Sequence, residues 1–176
     1  MNGFSTLSVL VVDDCRHMRE LTIALLRGFG FQRTHEADCA EAAWEILQGR
    51  QPDILIVDFD MPRESGAKLI ARLRHRLPPS AADMPILLMT AFSDMPRVLA
   101  ARDAGASEIL AKPLTIKGLL DRLIAAVDRP RPFVRATTYA GPDRRRRTDP
   151  AYDGPRRREG DRNELDLDSI KPRQAI

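Results

Sequence analysis

Four carboxylates, one hydroxyl and one ammonium stand just behind short apolar runs in this chain. Asp13 and Asp14 follow Leu7 to Val12, Asp58 follows Ile54 to Val57 with Asp60 close behind, Thr90 follows Ile86 to Met89, and Lys112 follows Glu108 to Ala111. Carboxylates gathered at one place repel one another, and a hard cation among them relieves that cost. Oxygen ligands without histidine or cysteine favour Mg²⁺ or Mn²⁺ over zinc. An aspartate beside such a cation can attack a phosphoryl donor and become an acyl phosphate. Asp58 is then the nucleophile. Mg²⁺ held by Asp14, Asp58 and a backbone carbonyl near Asp60 neutralises the equatorial oxygens, and Asp13 acts mainly through water. Lys112 adds a second positive charge, and Thr90 offers a hydroxyl donor that can rearrange when the phosphoryl group arrives. A cis Lys112–Pro113 bond would aim the lysine inward. Asp60 also has a plain alternative as a solvent-facing loop residue.

These groups matter together only if the apolar runs are strands of one sheet. Strand and helix signals alternate along the chain. Leu7 to Val12 is a β-branched run, and Met18, Leu21, Ile23, Leu25 and Leu26 behind it suit a helix. Arg33 to Glu36 is a short strand candidate, and Ala40, Ala43, Trp44 and Leu47 form a helical stripe that ends before Pro52. Ile54 to Val57 leads to a third helix carrying Leu69, Ile70 and Leu73, stopped at Pro78 and Pro79. Ile86 to Met89, a helix over Val98 to Ala104 closed by Gly105, Glu108 to Ala111, and a helix over Leu119 to Val127 complete the series. Strands that each lead into a helix require right-handed crossovers and a parallel sheet covered on both faces. The pattern predicts an α/β fold: a five-stranded, parallel, doubly wound sheet of the flavodoxin-like type, three layers α/β/α, with strand order 2-1-3-4-5. In such sheets ligands bind beyond the carboxyl ends of the strands, where the six polar groups stand.

Length and charge bound the rest. A chain of 176 residues suits one domain. Its formal charge of +3 is unevenly spread: residues 1–127 hold 15 Lys or Arg against 16 Asp or Glu, while residues 128–176 hold 13 against 9. Six of the 13 prolines and the runs Arg144 to Arg147 and Arg156 to Arg158 also fall in that second part. A segment so poor in apolar residues buries too little surface to offset its ordering entropy. The expectation is a domain over 1–130 and a flexible basic Pro/Arg-rich tail over 131–176. The apolar runs are far shorter than the roughly 20 residues of a membrane span, and no signal-peptide pattern opens the chain. Cytoplasm and no membrane association are expected, with Cys15 and Cys39 as free thiols.

The ordered part resembles the receiver domain of two-component response regulators over roughly residues 5–127. The resemblance is carried by Asp13-Asp14 after LSVLVV, by ILIVDFDMP with Asp58, by Met61-Pro62 and then Gly66, by Thr90-Ala91 after PILLM, by Ala104-Gly105-Ala106, and by Lys112-Pro113. It implies a phosphorylation-dependent signalling switch in a phosphorelay, with Asp58 as phosphoacceptor and a sensor histidine kinase or phosphotransfer protein as donor. It further implies obligatory Mg²⁺, self-catalysed gain and loss of the phosphoryl group without turnover of external substrates, and a downstream protein bound through the fourth helix, fifth strand and fifth helix. A homodimer through the last helices is open. Ile109 departs from the family, which usually carries a switching aromatic three residues before the lysine.

Two other functions share some of these residues. Asp58-Phe59-Asp60 resembles the nucleophile and acid/base pair of haloacid-dehalogenase phosphatases, but that family needs acidic metal ligands after its lysine, where only Asp121 and Asp128 are at hand, and it leaves Asp13-Asp14 without a role. The arginine runs can contact phosphate backbones without sequence preference. No helix-turn-helix periodicity accompanies them, so no specific nucleic acid is expected. YAGPDRRRR resembles a tail found on some stand-alone receivers, and this match assigns no role. Trp44 is expected to anchor the second helix, Met84, Met89 and Met95 to pack or sit in loops, and His17, His35 and His75 show no relay or metal spacing.

Overall fold

A computed structural model describes residues 4–91 and 95–144. The chain runs β1 Ser8–Val12, α1 Arg16–Gly28, β2 Arg33–Ala37, α2 Ala40–Gly49, β3 Ile54–Asp58, α3 Gly66–Arg76, α4 Pro79–Ala82, β4 Ile86–Thr90, α5 Met95–Asp103, β5 Glu108–Ala111, α6 Ile116–Val127, β6 Phe133–Ala136 and β7 Tyr139–Pro142. The first five strands form one sheet in the order β2-β1-β3-β4-β5, and every pairing is parallel. Strand order and layering agree with the sequence expectation.

The side-chain period of two divides each central strand between two cores. Val9, Val11, Ile54, Ile56, Leu87 and Met89 pack beneath α1 and α6 with Leu26, Leu119 and Leu123. Leu10, Val12, Leu55, Val57, Ile86 and Leu88 pack on the other face beneath α2, α3 and α5 with Leu47, Leu69, Ile70, Leu73 and Ala100. Both faces being covered, β1, β3 and β4 are buried along their whole length. That is why their sequences read as continuous apolar runs rather than as alternation. Trp44 packs at the margin of the second core and holds the Arg72 guanidinium 4.7 Å over its ring.

The chain beyond α6 departs from expectation. Residues 133–142 form an antiparallel hairpin, β6 with β7, and all of β7 is buried. The expected flexible tail therefore does not begin at 131; Arg145 to Arg147, Arg156 to Arg158 and the rest of the chain after 144 lie outside the described residues. The hairpin lies across the amino ends of β4 and β5, opposite the strand ends that carry the polar groups. Arg131 donates to Asp143 O at 2.8 Å and also to Ser107 O. Arg144 pairs with Asp103 at 3.3 Å and lies 3.9 Å from the Tyr139 ring centroid. Gly105 takes φ +96°, and a Cβ there would meet Ala140 O at 2.5 Å, so the turn after α5 serves as the seat of β7.

Under this hairpin lies Arg74, which sequence reasoning passed over as one of several basic residues ending α3. It is 1% exposed. Its guanidinium donates to Gly105 O from two nitrogens at 3.0 and 2.9 Å, to Met84 O at 2.8 Å and to Ala82 O, with the Phe133 ring centroid 5.3 Å away. Burial lowers its pKa to about 10, so the group stays charged at neutral pH. Backbone carbonyls stand where a carboxylate would ordinarily be found. The available sequence signal was its place one helical turn after Ile70, on the buried stripe.

Candidate functional site

Parallel pairing brings the ends of β1, β3, β4 and the step after β5 to one rim. Register places Val12 beside Val57, Asp58 beside Met89 and Thr90 beside Ala111. The ladder continues past the strands themselves: Asp13 N–H donates to Ala37 O at 3.3 Å, Phe59 N–H to Met89 O at 2.8 Å, and Lys112 N–H to Thr90 O at 2.8 Å. Side chains at these positions are thus held by backbone rather than left in loose loops.

Lys112 joins the set. Its ammonium lies 2.9 Å from Asp13 Oδ2 and 2.7 Å from Asp58 Oδ1. The Lys112–Pro113 bond is cis, in agreement with the sequence expectation. Asp13 is fully buried, and its other oxygen accepts from Cys15 N–H at 2.9 Å. Asp58 and Thr90 are 4% and 2% exposed, whereas Asp14 is open to solvent. Burial pushes the Asp58 carboxyl up from 3.8 to about 6; Lys112 opposes the rise, and the charges of Asp13 and Asp60 add to it. Asp14 is raised by partial burial and by the Asp13 charge. Burial works to lower Lys112, but its bonds to Asp58 and Asp13 outweigh that and hold the ammonium above its usual range. The carboxyls are raised first by burial, and the neighbouring carboxylate charges add to it.

Oxygens of Asp13, Asp14 and Asp58 lie within 4.8 Å of one another, close enough for all three residues to ligate one ion. An all-oxygen set of this density suits a hard divalent cation, which would relieve the part of the upward push on Asp58 and Asp14 that comes from neighbouring carboxylates. Asp60, expected at the metal through the backbone carbonyl near it, contributes no carboxylate oxygen to this group. Its carboxylate is engaged by Arg97 of α5 at 3.3 Å. Asp121, needed as a metal ligand in a phosphatase reading, is exposed on α6 and paired with Lys117 at 2.6 Å. Cys15 is a free, exposed thiol at the N-cap of α1. Ile109 packs against the core beneath α2, α3 and α5.

Gly66 belongs to the motif that follows Asp58, and its surroundings supply the reason for it. It opens α3 directly against the backbone of Asp58 and Phe59: its N–H donates to Phe59 O at 3.0 Å, and a Cβ there would meet Asp58 O at 2.1 Å. The contact is with backbone, which cannot swing away. Gly66→Ala is therefore expected to push the start of α3 off β3, with a loss of about 1–3 kcal/mol in chemical denaturation. Wild-type stability in that variant would show that the approach is slack.

The family profile described as the response regulator receiver domain matches residues 9–124. Response regulator MprA of Mycobacterium tuberculosis is 34% identical over 132 residues, covering 75% of this chain and 55% of MprA. Chemotaxis protein CheY of Pseudomonas aeruginosa is 32% identical over 119 residues, covering 66% of this chain and 93% of CheY. The solved structure of chemotaxis response regulator CheY4 of Vibrio cholerae superposes with a TM-score of 0.64 at 25% identity, covering 69% of this chain and 100% of that one. The chain spans about half the length of the MprA relatives it matches. With the profile, these relatives and the parallel five-stranded sheet in agreement, the chain belongs to the response regulator receiver domain family.

Proposed function

We propose that this chain is a phosphorylation-dependent switch of a two-component phosphorelay, with Asp58 as the phosphoacceptor. The observation that carries the proposal is the Lys112 ammonium seated between Asp13 and Asp58 at the rim where three carboxylates converge. An oxygen of Asp58 attacks phosphorus while the bond to the donor's imidazole nitrogen breaks, and the leaving group keeps the electron pair. Lys112 stabilises a phosphoryl oxygen, and the Thr90 hydroxyl at the end of β4 donates to another. Asp14, Asp58 and the backbone near Asp60 would hold Mg²⁺, with Asp13 acting mainly through water, and the ion would supply charge neutralisation for the transferring group. The donor is a sensor histidine kinase or a phosphotransfer protein, and the recipient of the signal is a downstream protein. Among the described residues no helix is long and apolar enough to cross a membrane; a cytoplasmic location suits a partner of this kind. The functional unit takes in the hairpin and extends to about residue 144.

The full chain incubated with Mg²⁺ and acetyl phosphate should gain one phosphoryl group on Asp58, labile in both acid and base. Asp13→Ala/Asp14→Ala should lose both this adduct and its dependence on Mg²⁺, with an unchanged far-UV circular dichroism spectrum. Equal labelling of the double variant with and without Mg²⁺ would overturn the metal assignment. Repeated hydrolysis of external phosphate esters, with no adduct retained, would favour a phosphatase instead.

A further inference from the structure

Asp60 is the strand-end carboxylate that the acidic cluster leaves out. It stands two residues after Asp58, in the loop that leaves the carboxyl end of β3. Arg97, in the first turn of α5, donates to Asp60 Oδ1 at 3.3 Å, and the two side chains are only 13% and 21% exposed. The Arg97 guanidinium carbon also lies 5.5 Å from the centroid of the Phe59 ring. Phe59 is 1% exposed and tied by its N–H to Met89 O, so the ring is a fixed platform between Asp58 and Asp60. A pair so far withdrawn from water is weakly screened by salt, unlike the exposed Arg16–Glu20 or Lys117–Asp121 pairs.

We infer that Arg97 is a positioning residue for phosphoryl transfer, one that neutralises Asp60 and holds its carboxylate toward α5 so that it does not oppose an anionic donor. The inference rests on the function proposed above. When acetyl phosphate is the donor, an Asp58 oxygen bonds to phosphorus, the phosphorus–oxygen bond to acetate breaks, and acetate leaves with the electron pair. Charge is conserved, but a dianion must first approach a rim whose three carboxylates are offset only by the Lys112 ammonium and the cation they would hold. Without Arg97 a further uncompensated negative charge would join them. The penalty scales with the donor's charge, whereas a packing defect would slow every donor alike.

The test measures the rate of Asp58 adduct formation on the full chain by intact mass, with Mg²⁺ and either dianionic acetyl phosphate or the less charged phosphoramidate. Arg97→Ala should slow acetyl phosphate roughly tenfold and phosphoramidate clearly less, the order expected of one uncompensated charge in a partly buried site. Arg97→Lys should keep most of the wild-type rate. Adding Asp60→Asn to Arg97→Ala should restore it, since the charge needing compensation is then gone. A wild-type rate in Arg97→Ala, or an equal loss with both donors that Asp60→Asn does not relieve, would overturn the inference. Absence of any adduct at Asp58 in the wild-type chain would overturn the proposed function itself, and this inference with it.

Discussion

Asp58→Asn is expected to take up no phosphoryl group from acetyl phosphate or a cognate kinase, a fall of at least about 100-fold in labelling, and yet to melt higher than the parent at neutral pH. The amide keeps the shape of the side chain and removes the nucleophilic charge. The stability effect follows from the same burial that prepares the site. Asp58 is shifted from 3.8 to about 6, chiefly by desolvation. Its folded value exceeds its unfolded one, so the native state binds the proton more tightly and ionised Asp58 weakens the fold. That penalty is absent below about pH 4, grows as pH rises through 6, and is fully present above it, at roughly 1–3 kcal/mol. Asparagine does not titrate. In metal-free buffer the variant should therefore gain several degrees at pH 7.5 and converge on the parent near pH 4, and Mg²⁺ should narrow the gap by stabilising the parent. Full phosphorylation of Asp58→Asn at a second residue would count against the acceptor. A variant less stable than the parent at pH 7.5 would show that the Lys112 contact outweighs the cost of burying the charge.

Ending the chain after Pro132 is expected to lower the melting temperature by on the order of 10 °C while leaving Mg²⁺-dependent phosphorylation in place. Removing residues 133–144 uncovers Arg74, strips the Phe133 ring from beside its guanidinium, and deletes Tyr139 and Ala140, which are 9% and 5% exposed. It also breaks the contacts of Arg131 with Asp143 and of Arg144 with Asp103. Arg74→Ala should cost about 3–5 kcal/mol by itself, because Gly105, Met84 and Ala82 carbonyls lose their donor while staying inside. The two changes act on one cluster, so the loss in the combined variant should be smaller than the sum of the separate losses. Phosphorylation survives because the hairpin lies at the amino ends of β4 and β5, away from Asp58. A truncated chain that melts with the full-length protein, or strict additivity with Arg74→Ala, would show that the hairpin merely rests on the surface.

The chemistry of the rim was legible because it depends on residue type and position relative to short apolar runs. Leu7 to Val12, Ile54 to Val57 and Ile86 to Met89 are buried on both faces and so are unbroken in sequence, and the helical stripes between them compel parallel pairing. Once those strands are parallel, Asp13, Asp58, Thr90 and Lys112 share a rim with no further information. The partner of the Asp60 carboxylate was not legible, for the converse reason. The spacing of Asp60 from Asp58 is the same whether it faces the cluster or α5, and the deciding partner, Arg97, lies 37 residues away.

The sequence alone thus determined the sheet, its order and the set of groups at its carboxyl edge, since local periodicity and crossover handedness leave few alternatives. Only tertiary packing decided that Lys112 bridges Asp13 and Asp58, that Asp60 belongs to Arg97, and that Arg74 is buried among carbonyls beneath a hairpin. The basic, proline-rich composition after α6 argued for an unordered segment because composition averages over a window. Order there comes from a few residues, above all Ala140 and Gly141, whose close fit to Gly105 exists only once α3, α5 and β5 have been assembled around it. Charge environments and docked segments rest on contacts between distant parts of the chain, and those contacts come into being with the fold.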